Sequence, residues 1–191
     1  VPILINHQKN YEENNMSIIS DLYTPTGIDH KKFTHDPDAA HLIVHGNEVS
    51  CSHMIPGIKV NALTQKNGVD IDMIILENYH IEKPVHLCFG LIPSKGLQLI
   101  NMKVKVQKNA SVNLSAHCIF PNAEDIEHRM NAEIILSDNS QYSYKETHIH
   151  GKGGIKVIPK ALVRCGPGSK FRTEFELLEG RVGMIDIDYE G

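Results

Sequence analysis

Asn101–Ser115 (NMKVKVQKNASVNLS), Met130–Lys145 (MNAEIILSDNSQYSYK) and Pro159–Phe175 (PKALVRCGPGSKFRTEF) read alike: an alternating strand, a tight polar corner, then a second alternating strand. Their corners, Asn109-Ala110, Asn139-Ser140 and Gly168-Ser169, lie 30 and 29 residues apart. A fixed period of that size marks a repeating β architecture, because one such unit cannot bury its apolar face alone and must stack on the next. Asn, Ser and Gly suit the corners because a residue there takes a left-handed or tightly turned backbone. The expected fold is therefore all-β. A stack of β coils is more often a scaffold or docking surface than a pocket built around one catalytic constellation.

The strand period of two assigns faces along each repeat. After the first corner Val112, Leu114, Ala116, Cys118 and Phe120 share the inward face, and Ser111, Asn113, Ser115 and His117 share the other. In the last repeat Phe171, Thr173, Phe175 and Leu177 are expected inside, with Arg172, Glu174 and Glu176 outside. Upstream, Val69–Leu76 and Pro84–Leu91 alternate as strands, and His41–His45 (HLIVH) reads as a short one. Tyr11–Tyr23 places Met16, Ile18, Ile19 and Leu22 at helical spacing, and Thr24-Pro25-Thr26-Gly27 breaks the run. The chain divides into a mixed N-terminal segment, residues 1–57, and a β core, residues 58–191. The first residue is Val1 rather than Met, so trimming or preceding residues are expected. The pattern stops midway at Asp186–Gly191, so the C-terminal part is expected to be missing or covered by a partner.

The 191 residues are 41% hydrophobic and 22% charged, enough to bury a real core. A formal net charge of −4 with no basic stripe argues against nucleic acid or an anionic membrane surface as partner. No apolar run approaches the roughly 18 residues of a membrane span. Cys51, Cys88, Cys118 and Cys165 lie 37, 30 and 47 residues apart, with no C-x-x-C pair, so neither a zinc knuckle nor a thioredoxin-type motif is present. They read as reduced thiols of a cytoplasmic protein. Gly151–Gly154 (GKGG) lacks the spacing of a phosphate-binding loop, so any ATPase must be another subunit.

Several stretches together resemble the SufB/SufD family: Lys83–Gly96 (KPVHLCFGLIPSKG), Lys105–Ala110 (KVQKNA), Ala116-His117-Cys118 followed by His128 and Glu133-Ile134, and Ile155–Pro159 (IKVIP). The likeness covers roughly residues 27–191, leans toward the short archaeal SufB-like proteins, and rests on many weak positions rather than one motif. It implies a right-handed parallel β-helix with a small, partly helical N-terminal part. It also implies a non-enzymatic scaffold for iron–sulfur cluster assembly that works with a SufC-type ABC ATPase, a sulfur donor, and itself or a SufB/SufD paralogue. Cys118 matches the family's sulfur-accepting cysteine, although a Gly-Cys pair is usual there and this chain has His117-Cys118. His128 matches a histidine often found shortly after it and is a candidate assisting residue. The transient cluster would be held by residues lying beyond Gly191. Cys165 inherits no role.

Each candidate has a plainer reading. An inward cysteine among Val, Leu and Ala is by default a small core hydrophobe. A sulfur acceptor must reach the thiolate, which apolar burial opposes, and His117 faces the other way. His148 and His150 put two imidazoles on one strand face, the start of a cupin-type metal site in a β-barrel. That alternative lacks a carboxylate a few residues later, and two polar side chains beside a solvated loop explain the pair as well. Cys88 reads as core packing, and Cys51-Ser52-His53 is no couple because adjacent strand positions face opposite ways.

Overall fold

Left-handed backbone at four corners turns this chain: Asn78, Asn109 and Asn139 have φ of 63°, 55° and 55°, and Gly168 has φ of 69°. The computed structural model describes residues 16–66 and 68–190. Asn78 is a fourth corner, one period upstream of the three legible in the sequence. The corner side chains stack: Asn109 Nδ2 donates to Asn78 Oδ1 at 3.1 Å and Asn139 Nδ2 to Asn109 Oδ1 at 3.4 Å. At the last corner a Cβ on residue 168 would sit 2.4 Å from Asn139 Oδ1, so glycine ends the ladder for steric as well as torsional reasons.

Between corners the chain runs alternately through two sheets. One contains β1 (His41–His45), β2 (Glu48–His53), β5 (Val85–Gly90), β7 (Ser111–Phe120), β9 (Gln141–His150) and β11 (Lys170–Glu179). The other contains β3 (Ile58–Gln65), β4 (Gly68–Ile75), β6 (Lys95–Val106), β8 (Asp125–Leu136), β10 (Ile155–Cys165) and β12 (Val182–Ile185), with β13 (Asp188–Glu190) also on β10. Pairing along both stacks is parallel, and the hairpins β1–β2 and β3–β4 are antiparallel. The architecture is a parallel β-helix. An antiparallel cupin barrel, the alternative raised by His148 and His150, is therefore excluded.

The tube is filled by the predicted inward set, with Val112, Leu114, Ala116, Cys118 and Phe120 all buried against Leu87, Phe89, Val104 and Ile134. In β11 the pairing register continues but the expected burial does not, since Glu174 and Glu176 are half-buried. Phe171 stacks on Tyr142 at 5.7 Å between ring centroids and Phe175 lies 4.6 Å from the His148 ring, yet Thr173 and Leu177 are exposed. Among the described residues no further strand pairs the outer side of β11, so only the largest inward side chains reach the preceding coil.

A second apolar cluster lies outside the tube. Residues 16–23 form helix α1, and Lys31–Thr34 form the single-turn helix α2. The 11–15 part of the expected helix falls outside the described residues. Ile19, Leu22, Tyr23 and Phe33 cover Ile43, Cys88 and Ile119 on the outward face of the first sheet. Burying each of the larger apolar side chains stabilises the cover by about 1.5–3 kcal/mol. The Tyr23 hydroxyl donates to His117 Nδ1 at 3.0 Å, and Phe33 stacks on His86 with centroids 4.3 Å apart. Cys88 is therefore packing, though in this outer layer rather than in the tube.

The Asn109 corner is testable: Asn109→Ala, forced into the left-handed region without a stacking partner, should lower stability to urea by about 1–2 kcal/mol, and Asn109→Gly by less. A second expectation concerns His117. Burial, with a smaller contribution from His86, pushes its pKa from 6.5 down to about 4. The unfolded chain thus binds the extra proton between those values, so stability is present above pH 6.5 and is lost as pH falls toward 4. The urea midpoint should drop between pH 7 and 5, and His117→Gln should flatten that drop by about one proton's slope, ~1.4 kcal/mol per pH unit.

Candidate functional site

In the parallel ladder Cys118 of β7 sits between Phe89 of β5 and His148 of β9, all three pointing into the tube. Its thiol is wholly buried. The chain then turns at residues 121–124 and returns through β8, which brings His128 across the tube from the opposite sheet. Cys118 Sγ lies 3.8 Å from His128 Nε2. The next coil adds Glu146, whose ladder neighbour is Ala116. That neighbour is only a methyl, which leaves the carboxylate room beside Cys118, and the thiol donates to Glu146 Oε1 at 3.4 Å. His128 Nε2 and Glu146 Oε1 are 3.9 Å apart.

Glu146 continues into a file of histidines on the same strand face. His148 Nε2 donates to Glu146 Oε1 at 2.9 Å, His148 Nδ1 lies 2.9 Å from His150 Nε2, and His150 Nδ1 donates to the Arg181 carbonyl at 3.1 Å. His150 also lines a surface cleft of about 620 Å³ with Pro121, Asn122, Gly151, Lys152 and Gly180. The file thus joins the middle of the tube to the protein surface. A groove of about 570 Å³ on the outer face of the second sheet is of another kind. Its side chains satisfy one another there, Asn101 with Asp70, Asn131 with Asn101 and Lys103 with Glu133, as on any solvated sheet.

Burial dominates the electrostatics. It pushes the Cys118 thiol well above its ordinary pKa, and the neighbouring Glu146 carboxylate adds to the shift. His128 is pushed down to about 3, by burial first and then by His148. Glu146 goes the other way: burial would raise its pKa, but the hydrogen bond and charge of His148, with His128 and the Cys118 thiol, hold it below the usual carboxylate value. The resting site is a neutral thiol and a neutral imidazole flanking an ionised carboxylate.

Of the residues singled out in sequence, the structure brings Cys118 and His128 together. His148 and His150 do share a face, and both are buried, His148 wholly inside the tube and His150 at its end beside the loop that lines the cleft. The carboxylate next to them precedes the pair instead of following it. Glu146 was the missed residue. The signal was present, since it has the same parity as Tyr142, Tyr144, His148 and His150, and a charged side chain on an otherwise inward face needs a partner. Cys51 is not coupled to His53; its sulfur lies 3.4 Å from His41 Nε2. Cys165 is exposed.

No known protein-family model matches the chain. Two curated proteins do. An iron–sulfur cluster assembly SufBD family protein of Pyrococcus horikoshii is 31% identical over 186 residues, covering 97% of this chain and 55% of that protein. The chain belongs to the SufB/SufD family. A second SufBD family protein, from Methanocaldococcus jannaschii, is 32% identical over 135 residues, 70% of this chain and 43% of that protein. The chain therefore spans about half the length of the curated relatives it matches. Parallel coils and a small N-terminal helical cover are what the SufB/SufD resemblance implied for the fold.

The burial order of the four thiols sets their reactivity, because the thiolate is the reacting form. A disulfide-based thiol reagent should label Cys165 at once and Cys51 more slowly. Cys88, pushed up to about 12 chiefly by burial, should react only on unfolding, and Cys118 should be slow in the isolated chain. Peptide mapping of the labelled sites checks the order.

Proposed function

We propose that this chain is a scaffold subunit of a SUF-type iron–sulfur cluster assembly complex, accepting sulfur at Cys118 and iron, and relying on a SufC-type ATPase supplied by a partner. Family membership supports the setting. The observation that carries the site is a wholly buried thiol donating to a buried carboxylate inside a β-helix. A thiol pushed up by burial is a poor nucleophile until a base takes its proton, and Glu146 Oε1 is the acceptor already aimed at it.

The transfer balances without an outside oxidant. Cys118 passes its proton to Glu146, and its sulfur attacks the sulfane sulfur of a donor protein's cysteine persulfide. The donor's sulfur–sulfur bond breaks, and the departing donor thiolate takes up a proton. Cys118 ends as a persulfide and the donor as a thiol. His128, neutral at 3.8 Å, assists by accepting a hydrogen bond from the persulfide. The subunit itself catalyses no turnover; its partners would be the ATPase, the sulfur donor, and a second copy or a SufB/SufD paralogue.

In the full-length protein Cys118→Ser should fold with a thermal midpoint within a few degrees of wild type, since the exchange conserves volume. It should take no sulfur from a persulfide donor and should not support cluster maturation in cells. Persulfide detection by mass spectrometry and complementation measure the two losses. Wild-type maturation in that variant would reduce Cys118 to core packing.

A further inference from the structure

We propose that Cys118, His128 and Glu146 form a binding site for one divalent transition-metal ion of borderline softness, Fe(II) or Zn(II). This rests on the iron acceptance proposed above, for which it names a site, and is independent of sulfur transfer. Three observations carry it: the spacing of the donors, an imidazole left without a strong partner, and a polar route to the surface.

The donor atoms Sγ, Nε2 and Oε1 all lie within 4.8 Å of one another, and all three residues are buried. Metal bonds of about 2.3 Å to sulfur and about 2.1 Å to nitrogen or oxygen, at tetrahedral angles, place S···N and S···O about 3.6 Å apart and N···O about 3.4 Å. The observed sides are 3.8, 3.4 and 3.9 Å. An ion at the centre thus needs adjustments of no more than about half an ångström.

His128 is wholly buried, yet its Nδ1 has no partner and its Nε2 has only long contacts, 3.8 Å to the Cys118 thiol and 3.9 Å to Glu146 Oε1. Phe120 and Phe89 pack around the ring, with centroids 5.2 and 6.3 Å away. At Nε2 the protein offers only those long contacts, which an ion would replace with a coordinate bond while Nδ1 keeps the ring proton. Thiolate, imidazole and carboxylate are together a donor set for Zn(II) or Fe(II) rather than for Mg(II) or Ca(II), which take oxygen ligands. On binding, the thiol gives up its proton, and the thiolate and carboxylate match the two charges of the ion. Three protein ligands leave the fourth position open, as in reactive rather than structural sites.

His148 acts as a positioning residue, since it bonds Glu146 and is itself held by His150. The file of His150, His148 and Glu146 links the site by hydrogen bonds to the cleft that His150 lines.

The test uses metal-free full-length protein and Co(II) as the probe, followed by competition with Zn(II). Wild type should bind one equivalent, with a thiolate-to-cobalt charge-transfer band in the near ultraviolet, and Zn(II) should raise its thermal midpoint. Cys118→Ser should lose the band, and His128→Asn and Glu146→Gln should lose stoichiometric binding. His148→Ala should keep the band while weakening affinity about 10–100-fold. Circular dichroism controls for folding. No band in wild type, or binding unchanged in both Cys118→Ser and Glu146→Gln, would overturn the proposal. Cobalt binding is measured without a sulfur donor and persulfide formation with a chelator present, so either reading can fail alone.

Discussion

The hydrogen-bonded parallel ladder makes each residue in one coil the neighbour of its counterpart one period away, and everything else in the molecule follows from that register. The constraint is held at the corners, where Asn78, Asn109, Asn139 and Gly168 all take the left-handed backbone and the asparagines bond to one another. A slip of one residue would turn every inward side chain out to solvent and bring the charged face into the tube. Stacking therefore fixes both what the interior excludes and what it brings together.

Most of the interior is apolar, and that is why its few polar residues interact so strongly. Cys118, His128 and Glu146 are buried there, and burial above all pushes the thiol up and the His128 imidazole down, while His148 helps hold the carboxylate ionised. Buried polar networks are worth having only when their members are satisfied. Here Glu146 and His148 are satisfied through the file to Arg181, and His128 is not. The proposed ion site is built on that imbalance together with the spacing of the three donors.

The outer layer obeys a different logic. His41, His86 and His117 on the outward face of the first sheet are kept neutral by the cover of Tyr23 and Phe33, so the docking of the N-terminal helices is tied to imidazole protonation. This sensitivity is separate from the chemistry in the tube. The two clusters lie on opposite faces of the same strands, Cys88 and His117 looking out where Phe89 and Cys118 look in.

Period and parity could be read from the chain by itself. The spacing of Asn109, Asn139 and Gly168 gave the coil length, and alternation placed Cys118 inside and His117 outside, because a strand has only two faces. Asn78 escaped notice since its flanking strands are shorter and less regular. Glu146 escaped because a carboxylate in an alternating strand looks like a solvated position; only the stacked coils show that its parity is that of Cys118. The sequence likewise placed Cys118 and His128 ten residues apart without saying whether they meet. Their meeting depends on the turn at residues 121–124 closing one coil, which aims β7 and β8 at each other across the tube. Local periodicity determines which way a side chain points, whereas the company it finds there is a matter of register between coils, and only the tertiary structure decides it.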